Sequence, residues 1–375
     1  MGIFLDFQAT TPLDPIVLEK MLPWMSGAWN AHAVEHRPGR AAAAAVEHAR
    51  EQVAVLLGCE PTEITFTSGA TEASNIVMRG ATDPGDELVI SAIEHASVME
   101  TANALEAEGR VVHRIGVSED GLLDLGLLQA ALSSQPALVS IMAVNNEIGT
   151  LQPVKEAAGI CAECGVLLHS DLTQAVGRIP VALSGLPLSY ASISSHKIYG
   201  PQGIGALFVG AGAPVPRPLT TGGGQENGLR PGTLPVAACV GFGAACELAL
   251  ANRERDHEHA SSLSRAMLDE LSGLAGWQVN GSLEERIPHN LSLAFDGVEA
   301  EALLGSLPEL ALATGSACSS GAVRGSATLR AIGLPDDLAN GTVRIGFGRT
   351  TTLDEVRTAA GLLCDRVRWL RRHAA

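Results

Sequence analysis

Seven short apolar runs divide the chain from about residue 64 to 210: EITF (63–66), ELVIS (87–91), RVVHRI (110–115), ALVSIMAV (137–144), GVLLHS (165–170), YASIS (190–194) and GALFV (205–209). Amphipathic helical patterns separate several of them, at 71–80, 96–109, 124–133 and 153–164. Continuous apolar strands are buried on both faces, and strands alternating with helices build a mainly parallel sheet with helices over it. The pattern predicts an α/β fold with a seven-stranded sheet in its large domain. In such a sheet, ligands bind beyond the carboxyl ends of the strands. Chemically capable residues follow five of the runs: TSGATE, IEH, NNE, the pair Asp171 and Gln174, and SSHK.

After about 250 the pattern changes. A charged helix leads to NLSLAFDG, a small-residue loop, the strand-like TVRIGFG (342–348) and a final helix. The expected division is a large domain over 13–250 and a smaller α+β domain formed by 1–12 and 251–375, which carries the loop at about 314–326. His257 and His259 in DHEH do not share a helix face, so a solvated surface is expected there, and no metal site is expected.

Composition excludes several classes of function. With 46% hydrophobic and 18% charged residues over 375 positions, the chain has ample core and is not disordered. A net charge of −16 argues against nucleic acid or an anionic membrane as partner. The first residues lack a basic segment followed by an apolar one, and no charge-free apolar run reaches about 18 residues, so a cytoplasmic protein is expected. Cys161 and Cys164 are read as helix residues, and Cys59, Cys239, Cys246 and Cys364 as small core hydrophobes.

Only three of the 25 basic residues are lysines: Lys20, Lys155 and Lys197. Lys197 ends a buried strand and precedes a glycine-rich turn, a setting that suits a Schiff-base amine. Asp171, at the end of another apolar run, needs a cationic or hydrogen-bonding partner; the protonated ring nitrogen of pyridoxal phosphate is one, and Gln174 could reach the same ligand. SGAT (68–71) opens a helix where backbone N–H groups and the Thr71 hydroxyl can meet a phosphate, with Ser194 and His196 as further donors. His95 could stack on a flat ring. Cys318, among Gly, Ser and Ala in ATGSACSSGAVRG, is read as an accessible nucleophile. Taken alone, each has a plainer reading: a snorkelling lysine, an N-cap, a helix cap, a turn histidine, a surface thiol.

Together the motifs resemble cysteine desulfurases of the NifS/IscS type, in the class-V aminotransferase family of fold-type I pyridoxal-phosphate enzymes. The resemblance covers nearly the whole chain. It runs through LDFQATTPLDP, FTSGATE, EHASV, SIMAVNNEIGTLQPV, HSDLTQAVG, SSHKIYGPQGIGALFV, GGGQENGLRPGTLPV, GSACSSG and VRIGFGRTTT, and points to the subgroup with GSAC in its active-site loop. It implies that Lys197 holds the cofactor and moves the substrate proton. Asp171 would pair with the ring nitrogen, Gln174 would bond the ring hydroxyl, and His95 would stack and assist proton movement. Ala70, Thr71, Ser194 and His196 would surround the phosphate, while Thr233 would reach the phosphate of a second subunit in a homodimer. Asn146 and Arg344 would face cofactor and substrate, Arg344 clamping the carboxylate of L-cysteine. Cys318 would take the sulfur as a persulfide, leaving L-alanine, and pass it to an acceptor or scaffold protein for iron–sulfur cluster or thio-cofactor assembly. The alternative is a selenocysteine lyase or another pyridoxal-phosphate lyase or aminotransferase of the same fold. A non-catalytic scaffold would have no use for Lys197 and Cys318. The chain departs from the family pattern at Ala31, Pro231, Leu172 and the VRGS segment after the cysteine loop.

Overall fold

The structure is a computed structural model that describes residues 2–314 and 325–373. Strand β1 (Ile3–Phe4) is followed by an extended segment and two helices, α1 (Pro15–Met25) and α2 (Arg37–Leu57). Helix α2 starts where His36 Nδ1 accepts from Gly39 N at 3.0 Å, and ends at Gly58 in the left-handed region, where a glycine carries no Cβ penalty.

Seven strands then form the main sheet: β2 (Ile64–Thr67), β3 (Glu87–Ser91), β4 (Val111–Ile115), β5 (Leu138–Ser140), β6 (Leu167–Asp171), β7 (Tyr190–Ser194) and β8 (Gly205–Val209). Their order is β2-β8-β7-β6-β5-β3-β4, and every pairing is parallel except the two made by β8. Each of the seven apolar runs supplies one of these strands. Two differ in detail for physical reasons. At the sheet edge, β4 buries Val112 and Ile115, one on each face, and exposes Val111, His113 and Arg114, because an edge strand is only partly covered. The run at 137–144 is strand only to Ser140; beyond it the backbone continues to bond residues 169 and 171 while bending into the site.

Helices α3 (Ala70–Gly80) and α4 (Ala96–Ala107) cover one face, packing Ile76, Val77, Val98 and Leu105 on Leu88, Ile90, Leu138 and Leu207. On the other face α1, α2, α5 (Leu125–Ala131), α6 (Val154–Glu163) and the start of α7 (Val236–Leu271) enclose Val89, Val139, Leu168, Ile193 and Phe208. Cys161 lies within α6 and Cys164 caps it; Cys239, Cys246 and Cys364 are buried and Cys59 half-buried. Among the described residues α7 is the one helix long and apolar enough to cross a membrane, but Val236, Cys239, Phe242 and Cys246 of its apolar half are core residues here.

A second core surrounds an antiparallel sheet of β9 (Trp277–Val279), β10 (Asn290–Phe295), β12 (Ala313–Thr314) and β13 (Thr342–Gly346), in the order β12-β13-β10-β9. It includes Leu5 from the N-terminal segment, Leu263, Met267 and Leu271 from α7, and Val356, Leu363 and Val367 from α11 (Leu353–His373). Short helices α8 (Ala300–Gly305), α9 (Ala327–Ala331) and α10 (Asp336–Asn340) complete the region, and β11 (Leu310–Ala311) pairs with β1. The composition break near 250 falls inside α7, a single 36-residue helix shared by both cores. The DHEH segment is on this helix, and His259 is held rather than freely solvated: its Nε2 lies 2.8 Å from the Thr351 carbonyl.

Candidate active site

The carboxyl ends of β2, β3, β5, β6 and β7 open on one cavity of about 510 Å³, closed by residues 8–10 and by Arg344 of β13. Ala70, Thr71, His95, Asn146, Asp171, Gln174, Ser194, His196, Lys197 and Arg344 all line it. Thr233 is exposed and does not line this cavity. Cys318 lies outside the described residues.

Lys197 ends a single 3-10 turn (Ser195–Lys197) after β7. Its Nζ donates to the carbonyls of Gln8 at 2.7 Å and Ala9 at 2.6 Å, so the N-terminal segment aims the amine. That segment is tied to the turn in return: Thr11 Oγ1 donates to His196 O at 2.9 Å and accepts from Tyr199 N at 2.7 Å. By contrast, Lys20 and Lys155 are exposed on helices.

One end of the cavity is rich in neutral donors. Gly69 caps α3 with φ of +151°, where a Cβ would be strained, and α3 presents the N–H groups of its first turn. Ser194 and His196 face the same region from the end of β7. His196 Nδ1 lies 3.0 Å from Thr10 Oγ1. Burial, with the adjacent Lys197 charge, pushes its pKa down to about 4, so the imidazole is neutral at physiological pH. Such an end receives an anion through hydrogen bonds and the helix dipole.

Asp171 also lines the cavity: it closes β6 and is buried, with Oδ1 accepting from Thr173 N at 2.9 Å. Beneath it, His169 contacts Ser140 Oγ at 2.9 Å and Ser192 Oγ at 3.1 Å, and burial pushes it down to about 4. Glu94 is a second buried carboxyl nearby, accepting from Met142 N at 2.6 Å. Burial, aided by the Asp171 charge, pushes it up to about 8, so Glu94 keeps its proton at neutral pH. His95, the next residue, caps α4: its Nδ1 accepts from Ser97 N at 3.1 Å, which leaves Nε2 to carry the proton of a neutral ring.

Arg344 is almost wholly buried, bonding Asp6 Oδ1 at 2.8 Å and the Asn146 carbonyl at 3.1 Å. Its Nε has no hydrogen-bond partner among the described residues. A buried guanidinium with an unused donor beside a cavity is suited to a carboxylate.

The Lys197 amine, the buried Asp171 carboxylate, the start of α3 and the Arg344 guanidinium therefore line one chamber, and the chain as a whole can be compared with known proteins. Residues 3–358 match the model of the aminotransferase class-V family. The chain belongs to the aminotransferase class-V family. Within it, the chain is 42% identical over 381 residues to the cysteine desulfurase IscS of Rickettsia bellii, covering 99% of this chain and 92% of that protein. Two solved structures are similar: a NifS-like protein, with TM-score 0.91 and 33% identity over 98% of this chain and all of the other, and a NifS-like protein from Rickettsia africae, with TM-score 0.89 and 31% identity over the same shares. The α/β fold expected from the sequence is the fold of these class-V relatives.

The class-V chamber also uses residues to which the sequence assigned no role. Asp6, Gln8, Ala9 and Thr10 belong to the N-terminal LDFQATT motif, and Gln202 and Gly203 to the turn after Lys197. The motif itself was the available signal; the partners lie 188, 189 and 338 positions away in the chain and cannot be read from spacing. Glu94 stood next to a candidate, but its burial comes from the sheet packing around it.

Proposed function

We propose that the protein is a cysteine desulfurase that uses pyridoxal phosphate, and the observation that carries this is the convergence of Lys197, Asp171, Arg344 and the donor-rich start of α3 on one 510 Å³ cavity. The chamber fits the cofactor. Ala70, Thr71, Ser194 and His196 would hold the phosphate, Asp171 the ring nitrogen, Gln174 the ring hydroxyl, and His95 the ring face; Lys197 would bind covalently. When bound, pyridoxal phosphate supplies an electrophilic carbon for amines and a ring that accepts electrons from a substrate carbon. The names of the curated relatives support desulfurase over the lyase or aminotransferase alternative.

Each residue then has a task. Arg344, with its Nε unused, takes the carboxylate of L-cysteine and fixes which bond faces the cofactor, with Asn146 beside it. Lys197, steered by the Gln8 and Ala9 carbonyls, takes and returns the α-proton at Nζ. His95 presents Nε2–H to the same space. Asp171, paired with the ring nitrogen, keeps that nitrogen protonated. The thiolate of Cys318 attacks the substrate sulfur; the carbon–sulfur bond breaks and its electron pair stays with carbon, which takes a proton. The net change is L-cysteine plus Cys318 thiol giving L-alanine plus Cys318 persulfide. An acceptor or scaffold protein would receive the sulfur for iron–sulfur cluster or thio-cofactor assembly.

The proposed setting is a cytoplasmic homodimer in which exposed Thr233 completes the neighbouring site. The proposed division, 13–250 against 1–12 with 251–375, rests on the two hydrophobic cores, with α7 running through the boundary.

Incubation of the protein with pyridoxal phosphate and L-cysteine tests the reading, with alanine and protein-bound persulfide measured for wild type and Cys318→Ala. Wild type should form both, and the variant should lose the persulfide. Alanine without any persulfide on Cys318 would refute the sulfur path. Borohydride reduction followed by peptide mapping should place the cofactor on Lys197; label on Lys20 or Lys155 would refute its assignment.

A further inference from the structure

Arg178 is a buried cation whose described hydrogen-bond partners are all neutral oxygens. Its Nη1 donates in a short contact to Gln174 Oε1 and lies 3.4 Å from the Gln174 carbonyl, while Nη2 is 3.3 Å from the Phe7 carbonyl. The charged and titratable groups around it are Lys197, Tyr199, Asp256 of α7, His289 and Arg349, which line the same small cavity, and Arg344 from β13. The one carboxylate among them, Asp256, is taken by Arg349 at 2.8 Å, and among the described residues no carboxylate bonds Arg178 directly. Burial pushes Arg178 down to about 10, which still leaves it charged at neutral pH.

We infer that Arg178 is a positioning residue for the reaction: it fixes the Gln174 amide with its nitrogen toward the cavity and supplies, behind that end of the site, a positive charge that no described carboxylate bonds. The inference rests on the reading of Gln174 as the ligand of the cofactor ring hydroxyl.

The orientation follows from donor and acceptor chemistry. A guanidinium only donates, so the amide edge against Arg178 has to be the oxygen. The Gln8 carbonyl only accepts, and Gln174 Nε2 lies 3.0 Å from it. Turning the amide by 180° would set NH₂ against guanidinium and oxygen against oxygen, breaking both bonds at once. One amide hydrogen serves Gln8, and the other is left for the cavity that Gln174 lines. A bond from a charged donor to Oε1 also polarises the amide and strengthens that remaining N–H as a donor.

The effect reaches the amine. The same Gln8 carbonyl accepts from Lys197 Nζ at 2.7 Å, so Arg178, Gln174, Gln8 and Lys197 form one connected network. A fixed cation behind this network favours an ionised ring hydroxyl and disfavours a proton on the nitrogen that joins lysine and cofactor. Arg178 should therefore lower the pH at which the lysine-bound cofactor changes its visible absorbance.

The test is a pH titration of that absorbance in the full-length holoprotein, with thermal unfolding measured in parallel. Arg178→Lys keeps the charge and should stay within a few tenths of a pH unit of wild type. Arg178→Gln keeps a donor without the charge, and its midpoint should rise by about one unit, a tenfold change in proton affinity. Arg178→Leu should show the same rise and retain pyridoxal phosphate about tenfold less well, because the Gln174 amide is free to turn. Should the leucine variant not fold, the comparison of Gln with Lys decides alone. Lower melting temperatures with unmoved midpoints in both neutral variants would show a purely structural role and overturn the inference. A wild-type protein that forms no lysine-bound band would instead overturn the functional reading, and this inference with it.

Discussion

Gln174 and Lys197 share one backbone acceptor: the Gln8 carbonyl receives Gln174 Nε2 at 3.0 Å and Lys197 Nζ at 2.7 Å. Gln8 is anchored in turn by its own side chain, whose Nε2 donates to the His289 carbonyl at 2.8 Å. The irregular segment after β1 thus sets the distance between the Gln174 amide and the Lys197 amine. Groups held this way depend on segments far from them in sequence, and such dependencies can be probed by substitution.

Arg344→Lys keeps a positive charge but loses the planar fork, while Asp6 and the Asn146 carbonyl still compete for it. The expected outcome is a KM for L-cysteine about 10- to 100-fold higher, roughly 1.4–2.8 kcal/mol, with kcat changed only a few-fold. Steady-state kinetics check this, and an unaltered KM would remove Arg344 from the carboxylate site.

Glu94 holds a proton up to about pH 8 in the fold and releases it near pH 4.5 when unfolded. Between those values the folded state binds more protons than the unfolded state, so stability falls as pH rises through this window. Glu94→Gln removes the titration. It should raise the melting temperature at pH 7.5, with a gain on the order of a few kcal/mol, and give no such gain at pH 4.5. Equal effects at both pH values would contradict the assignment.

A Cβ on Gly205 would lie 2.3 Å from the Ile193 carbonyl oxygen and 2.7 Å from Gly69 Cα. Both are backbone atoms and cannot swing aside. Gly205→Ala should cost about 1–3 kcal/mol. Because the strain falls on Gly69, at the start of α3, affinity for pyridoxal phosphate should fall as well. Denaturant unfolding and a cofactor titration measure the two effects separately.

Glu226 accepts from Arg50 at 2.7 and 2.8 Å and from Phe66 N at 2.7 Å, in a left-handed backbone conformation with φ of +49°. Glu226→Ala leaves the buried Arg50 guanidinium with only the largely exposed Glu47 carboxylate and Phe66 N without its acceptor, so it should destabilise by about 3 kcal/mol. The double variant Arg50→Met, Glu226→Met should recover much of that loss in equilibrium unfolding, since the buried, under-paired guanidinium is gone.

The sheet was legible because a strand buried on both faces must be apolar throughout, and no other element of that length has to be. Edge strand β4 shows the limit: Val111, His113 and Arg114 need not be apolar, and the run reads as continuous only because its exposed positions include a valine. Lys197 and Asp171 stood out because charge at the end of an apolar run is costly without a purpose. Arg178 and Glu94 carried no such mark. What singles them out is the identity of the groups pressed against them, which tertiary packing supplies. Thr233 is exposed and does not line this cavity, so the role expected for it would need a second subunit.

Helix α7 has a consequence for dissecting the protein. At 36 residues it is about 54 Å long, with core side chains of the large sheet at one end and of the small sheet at the other. A chain cut near residue 250, where composition suggests a boundary, would sever a continuous helix and leave each fragment with half of a shared strut. Fragment complementation, with both halves expressed together, is then a more promising route than either fragment by itself.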